Sequence, residues 1–180
     1  MQDAYLIAYS MSYTGNSTSY YIWYEDAQGR NRFYSSGDKL ADFWSEADAK
    51  QQIITLGMRY KETVFFDAER LDYWLCTGSR SQIYVDEQLD TEFLLDFWNL
   101  FDDAAYSLGI KLPEPKGADA CYEKLFRSCD AAALVSDPAA FNPALSENEI
   151  AIIRSVLKAG FDLIQRHTEM IQPEDQNENI

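Results

Sequence analysis

Apolar and polar positions alternate along the first stretch of the chain. From Ala4 to Tyr13, the side chains of Tyr5, Ile7, Tyr9, Met11 and Tyr13 fall on one side and Leu6, Ala8, Ser10 and Ser12 on the other. A period of two is the signature of a half-buried strand. Gly15-Asn16-Ser17-Thr18 then predicts a turn, and Ser19 to Glu25 a second strand with Tyr20, Ile22 and Tyr24 opposite Tyr21 and Trp23. Asp26-Ala27-Gln28-Gly29 turns the chain again into a third strand, Arg30 to Ser35. Connections this short leave no room for crossover helices, so the three strands are expected to form an antiparallel meander.

The period then lengthens. Leu40, Phe43, Trp44, Ala47 and Ile54 recur at helical spacing, predicting a helix from a cap at Asp38 to about Leu56, stopped by Gly57. Thr63 to Phe66 has the composition of a short strand. Leu71 to Cys76 and Ser81 to Asp86, either side of Thr77-Gly78-Ser79-Arg80, suggest a second hairpin, although Ala68 to Leu71 also fits a helical turn. Residues 90 to 108 carry the strongest helical pattern: Leu89, Phe93, Phe97, Leu100, Phe101, Ala104 and Leu108 share a side that Leu94, Trp98 and Ala105 widen. A rigid connector, Lys111 to Gly117, leads to a helix over Ala118 to Leu134, a loop at Asp137 to Pro143, and a last helix. That helix opens on a capping box, Ser146 with Glu149. The pattern predicts an α+β fold, an antiparallel sheet of four to six strands packed against about four helices. It forms one domain over residues 1–171, mainly helical after residue 117, with an acidic tail at 172–180.

Composition narrows the function. A chain of 180 residues buries roughly 70% of its extended surface on folding, and 47% hydrophobic residues supply a core. Thirty acidic residues against fifteen basic ones give a formal charge of −15. Such a field repels phosphate backbones and anionic bilayers and attracts cationic partners, so neither nucleic acid nor a membrane is an expected partner. Met1-Gln2-Asp3-Ala4 lacks the basic start of a signal peptide and no apolar run reaches membrane-spanning length, which sets the cytoplasm as the expected compartment. Cys76, Cys121 and Cys129 are too few for a disulfide scaffold and are expected as reduced, mostly buried thiols.

Nucleotide-binding glycine loops, GxSxG, HExxH and paired CxxC are all absent from the sequence, and its one histidine, His167, sits near the end of the last predicted helix. No catalytic residue, cofactor or metal is therefore expected. The most informative local feature is acidic. Between Ser81 and Ile110 the chain holds Asp86, Glu87, Asp90, Glu92, Asp96, Asp102 and Asp103 and no lysine or arginine. Glu92, Asp96, Asn99 and Asp103 recur at helical spacing and form a stripe, a solvated face or a surface for a basic protein. The tyrosine-rich meander, with Tyr20 and Trp23 among its aromatics, adds side chains that suit either sheet packing or an interface. Glu92, Asp96, Asp102, Asp103, Tyr20 and Trp23 are the candidate partner-binding residues.

A chain of modest length that is strongly acidic, rich in interface aromatics and without catalytic motifs resembles, in overall character rather than by a motif, a group of bacterial immunity proteins. These are made against the toxin domains of contact-dependent growth inhibition or bacteriocin systems. The resemblance implies a cytoplasmic inhibitor of one cognate basic toxin domain, often a nuclease, that blocks the active site or traps a nonproductive form. Two other classes stay open: a small hydrolase or transferase whose carboxylates converge only in the fold, and a structural or adaptor subunit.

Overall fold

Strands β1 (Asp3–Met11) and β2 (Ser17–Glu25) pair antiparallel from Ala4↔Tyr24 to Met11↔Ser17, as the alternation requires. The computed structural model describes residues 1–11, 17–85, 88–134 and 144–171. The predicted turn at Gly15-Asn16, Tyr13, the loop at 137–143 and the tail at 172–180 lie outside them. After β2, the Asp26 carboxylate accepts the backbone N–H groups of Gln28 (2.9 Å) and Arg30 (3.0 Å), and Gly29 takes φ 75°, which closes the turn into β3 (Asn31–Phe33). The main sheet is completed by β4 (Ser35–Ser36), β5 (Lys39–Phe43), β6 (Arg59–Phe66) and β9 (Thr168–Ile171).

The α+β class holds, with five helices among the described residues and a mostly antiparallel main sheet. Among the described residues that sheet has seven strands, more than expected, in the order β4-β5-β2-β1-β6 with β3 on β2 and β9 on β5. Two of its ladders, β1 with β6 and β5 with β9, are parallel. A separate two-stranded ladder joins β7 (Tyr84–Val85) to β8 (Gln88–Leu89).

The chain divides into two compact units. The first comprises Met1–Glu69, Asp103–Ile110 and Ile164–Ile180, and the second Arg70–Asp102 and Lys111–Leu163. In the first, helix α1 (Glu46–Thr55) covers one sheet face, where Ala49 and Ile53 join Ala4, Leu6, Ile22, Ala41 and Phe43 in a core cluster. The predicted helix start at Asp38 is displaced. Residues 39–43 form β5 because Ala41 and Phe43 enter that core as strand residues, and Ser45 caps α1 by accepting the Asp48 N–H.

Helix α2 (Ala68–Thr77), which belongs to the second unit from Arg70 onward, replaces the expected strand Leu71–Cys76. Leu71, Trp74 and Leu75, at helical spacing, are all buried, and tertiary packing of that face overrides the β-forming character of the aromatics. Of the second expected strand, Ser81 and Gln82 lie in a 3₁₀ turn at Arg80–Gln82 and Tyr84–Val85 do form a strand, while Asp86 lies outside the described residues. Helix α3 (Thr91–Leu108) buries Leu94, Phe97, Trp98 and Phe101, while Phe93 is only half-buried. Helices α4 (Ala118–Leu134) and α5 (Glu147–His167) follow. The capping box forms as predicted: the Glu149 carboxylate accepts the Ser146 N–H at 2.7 Å and the Ser146 hydroxyl accepts the Glu149 N–H at 3.3 Å. That backbone bond and Lys124 at 3.0 Å hold the Glu149 carboxyl down to about 2. The cysteines are free thiols, Cys121 buried and Cys76 exposed on α2 rather than buried. Among the described residues, no helix is long and apolar enough to cross a membrane.

Candidate partner-binding surfaces

The acidic residues of α3 begin at its cap. Asp90 accepts the Phe93 N–H at 3.1 Å and holds Arg70 at 2.8 Å. Arg70 also donates to the Gln82 carbonyl at 2.6 Å, and its guanidinium lies 3.9 Å from the centre of the Phe93 ring. The cation of this region is thus committed to the cap. Glu92 and Asp96, one turn apart, are exposed, and among the described residues neither forms an ion pair. Partial desolvation, and then the charges of Glu92 and Asp90, push the Asp96 carboxyl above the ordinary range. Asn99 is exposed and accepts the Tyr122 hydroxyl at 2.9 Å, and Asp102 is exposed. Glu92, Asp96 and Asp102 all belong to the second unit.

Asp103 belongs to the first unit and has a different task. Its carboxylate accepts the indole N–H of Trp23 at 3.0 Å, so it orients an aromatic instead of extending the free stripe. Trp23 packs edge-on against Tyr5 with ring centres 5.5 Å apart. With Gln2, Asp3, Glu25 and Asn31, these two rings line a shallow concavity of about 420 Å³. Asp3 is held low by Lys61 and Arg59, at 3.0 and 2.7 Å, whereas Glu25 is exposed and has no ion-pair partner among the described residues. The pairing Tyr5↔Trp23 follows from the β1–β2 register, so Tyr5 was predictable once the hairpin was in register; Glu25 carried no signal.

Tyr20 sits on the other face of β2. Strand alternation turns it away from Trp23 and packs it against the α1 core cluster, so the structure does not bring these two aromatics together. Beside it lies a buried polar site that sequence pattern missed. Asp42, 3% exposed, accepts the Ser19 hydroxyl at 2.8 Å and the Tyr20 N–H at 3.2 Å, and burial pushes its carboxyl up to about 6. Tyr21 meets Thr168 at 3.2 Å, and its hydroxyl is raised by burial and by Asp42.

A second concavity, in the second unit, is lined by Trp74, Leu75, Arg80, Arg154 and Lys158. Each of its cations is engaged: Arg80 with Glu147, Lys158 with Asp162, and Arg154 with the Leu75 carbonyl. Among the described residues, no three histidine, cysteine or carboxylate side chains gather as a metal-binding set.

No protein-family model matches the chain. No curated protein matches it either. Among solved structures, the crystal structure of the SatS C-terminal domain in complex with bromine is similar over 93% of this chain and 94% of that chain, at 11% sequence identity and a TM-score of 0.48.

Proposed function

We propose that the chain is an acidic protein-binding inhibitor that neutralises a basic toxin domain, with the Glu92–Asp96 face of α3 as its electrostatic contact. The observation that carries this reading is the uncompensated carboxylate pair. Like charges one helical turn apart destabilise the helix by a few tenths of a kcal/mol, and the raised Asp96 carboxyl reflects partial desolvation first and that repulsion second. A lysine or arginine from a partner removes the repulsion and steers encounter. Trp23, oriented by Asp103, supplies an aromatic anchor in the other unit, with the exposed Glu25 carboxylate beside it.

Affinity capture of the untagged native complex identifies the partner, which is expected to be basic and to lose its toxic activity on binding. Stopped-flow kinetics with that partner then tests the face. The double variant Glu92→Lys, Asp96→Lys is expected to slow association about tenfold or more at low salt and to flatten the salt dependence, with the fold intact. Asp103 stays unaltered in this variant, because changing it also releases Trp23. An acidic partner, or unchanged association at both low and physiological salt, overturns the reading.

A further inference from the structure

The concavity beside the end of α2 and the first half of α5 reverses the charge ratio of the chain. Carboxylates outnumber cations thirty to fifteen overall, yet Arg80, Arg154 and Lys158 line this space with one carboxylate, Glu147. Its volume of about 490 Å³ lies within the roughly 300–1,000 Å³ of small-molecule pockets. Trp74, Leu75, Ile150 and Ala151 give it an apolar wall.

Two of the three cations are offset by carboxylates. Arg80 and Lys158, both exposed, pair with Glu147 and Asp162. Half-buried Arg154 donates instead to the Leu75 carbonyl, from Nε at 3.0 Å and from Nη2, and among the described residues it forms no ion pair. A carbonyl satisfies donors without cancelling the charge. Gly78 makes room for the third nitrogen. It follows α2 with φ 69°, and a Cβ on it would lie 2.8 Å from Nη1, so the bare backbone lets the guanidinium lie close against it. Nη1 takes no part in the Leu75 bonds, and the exposed Ser155 beside Arg154 adds a hydroxyl to the same lining.

We infer that this concavity binds a small monocarboxylate with an apolar body, its carboxylate on Arg154 Nη1 and the Ser155 hydroxyl and its body against the apolar wall. Arginine–carboxylate hydrogen bonds are charge-assisted and roughly twice as strong as neutral ones, and here the anion supplies the charge that the Leu75 carbonyl does not. The field of a chain of formal charge −15 opposes every added negative charge, so a polyphosphate is repelled more than a single carboxylate. Affinity then has to come from the apolar body as well. The site shares no residue with the α3 face, so this inference goes beyond the inhibitor reading and each can fail alone.

The test is calorimetric titration of the intact protein with 3-phenylpropionate, 4-methylpentanoate and the neutral amide of each. At least one acid is expected to bind saturably and to shift the Arg154 Nε–H resonance in nuclear magnetic resonance spectra. Its amide should bind at least about tenfold more weakly, the loss expected when one charge-assisted hydrogen bond becomes neutral. Arg154→Gln should remove the preference for acid over amide. Because Arg154 also holds the end of α2, a second variant tests the space itself. Ala151→Trp, at an exposed helix position in the wall, occupies the concavity, leaves Arg154 in place and should weaken the acid at least about tenfold. No saturable binding of either acid, amides that bind as well as acids, a preference for acid that survives Arg154→Gln, or wild-type affinity in Ala151→Trp overturns the inference. None of these variants alters the α3 carboxylates, so the outcome is independent of the Glu92→Lys, Asp96→Lys kinetics.

Discussion

Asp42 shows how one buried carboxyl couples this fold to pH. Its oxygens are satisfied by Ser19 and the Tyr20 N–H, but burial, with no cation beside it among the described residues, disfavours the ion, and its carboxyl rises to about 6 from an ordinary 3.8. A folded-state value above the unfolded one means that its contribution is fully present below pH 3.8 and is lost as pH rises through 6. The difference is on the order of 3 kcal/mol. Asp42→Asn keeps the shape, and the Ser19 hydroxyl can rotate to accept from the new amide. Urea denaturation between pH 4 and 7 is therefore expected to show Asp42→Asn gaining on the wild type as pH rises, with equal or greater stability at pH 7. Parallel stability profiles for the two proteins over that range reject the account. Sequence pattern gave no hint of this group, because Asp42 lies between Ala41 and Phe43 in a stretch whose spacing suited a helix, and only the strand conformation buries it.

At the scale of elements, legibility depended on where the stabilising contacts come from. Helices α3 and α5 were readable because each carries a long apolar sector and α5 a reciprocal cap, all local in sequence. β9 was not, since Thr168–Ile171 becomes a strand only by pairing with Leu40–Phe43 more than a hundred residues earlier. Helix α2 reads as a strand because Tyr73 and Trp74 favour strands, while the Leu71–Trp74–Leu75 spacing, visible in the same segment, is what the packing obeys. Of the candidate site, the α3 carboxylates were found from spacing, whereas the role of Asp103 needed the Trp23 contact. Gly160 is a further case in which packing decides. Within an α-helix, Gly→Ala ordinarily stabilises by about 0.5–1 kcal/mol. Here an added Cβ meets the Phe101 side chain at 2.3–2.4 Å, so the α3 and α5 residues in contact must move apart. Gly160→Ala is expected to destabilise by about 1–3 kcal/mol. A gain in urea midpoint for Gly160→Ala alone refutes this contact as the reason for the glycine.

Electrostatics at the scale of the whole molecule is governed by the formal charge of −15. Ion pairs among the described residues offset it only locally, and several, such as Lys111–Glu114 and Arg127–Glu123, have both partners largely exposed. Exposed pairs contribute about 0–1 kcal/mol each, so screening them costs little. The repulsion among uncompensated carboxylates is longer in range and is cut when the Debye length shrinks from about 30 Å at 0.01 M to about 8 Å at 0.15 M salt. Added sodium chloride at pH 7 is thus expected to raise the urea midpoint. The effect should fade near pH 4.3, where positive and negative charge balance. The same salt is expected to slow association with a basic partner, because there the long-range force is attractive. Folding and binding should therefore respond to salt with opposite signs over one concentration range. A midpoint that falls with salt at pH 7 would mean that local ion pairs outweigh the net charge. In that case the acidic surface is held by its own cations, and the uncompensated Glu92–Asp96 pair loses its meaning as a place kept ready for someone else's.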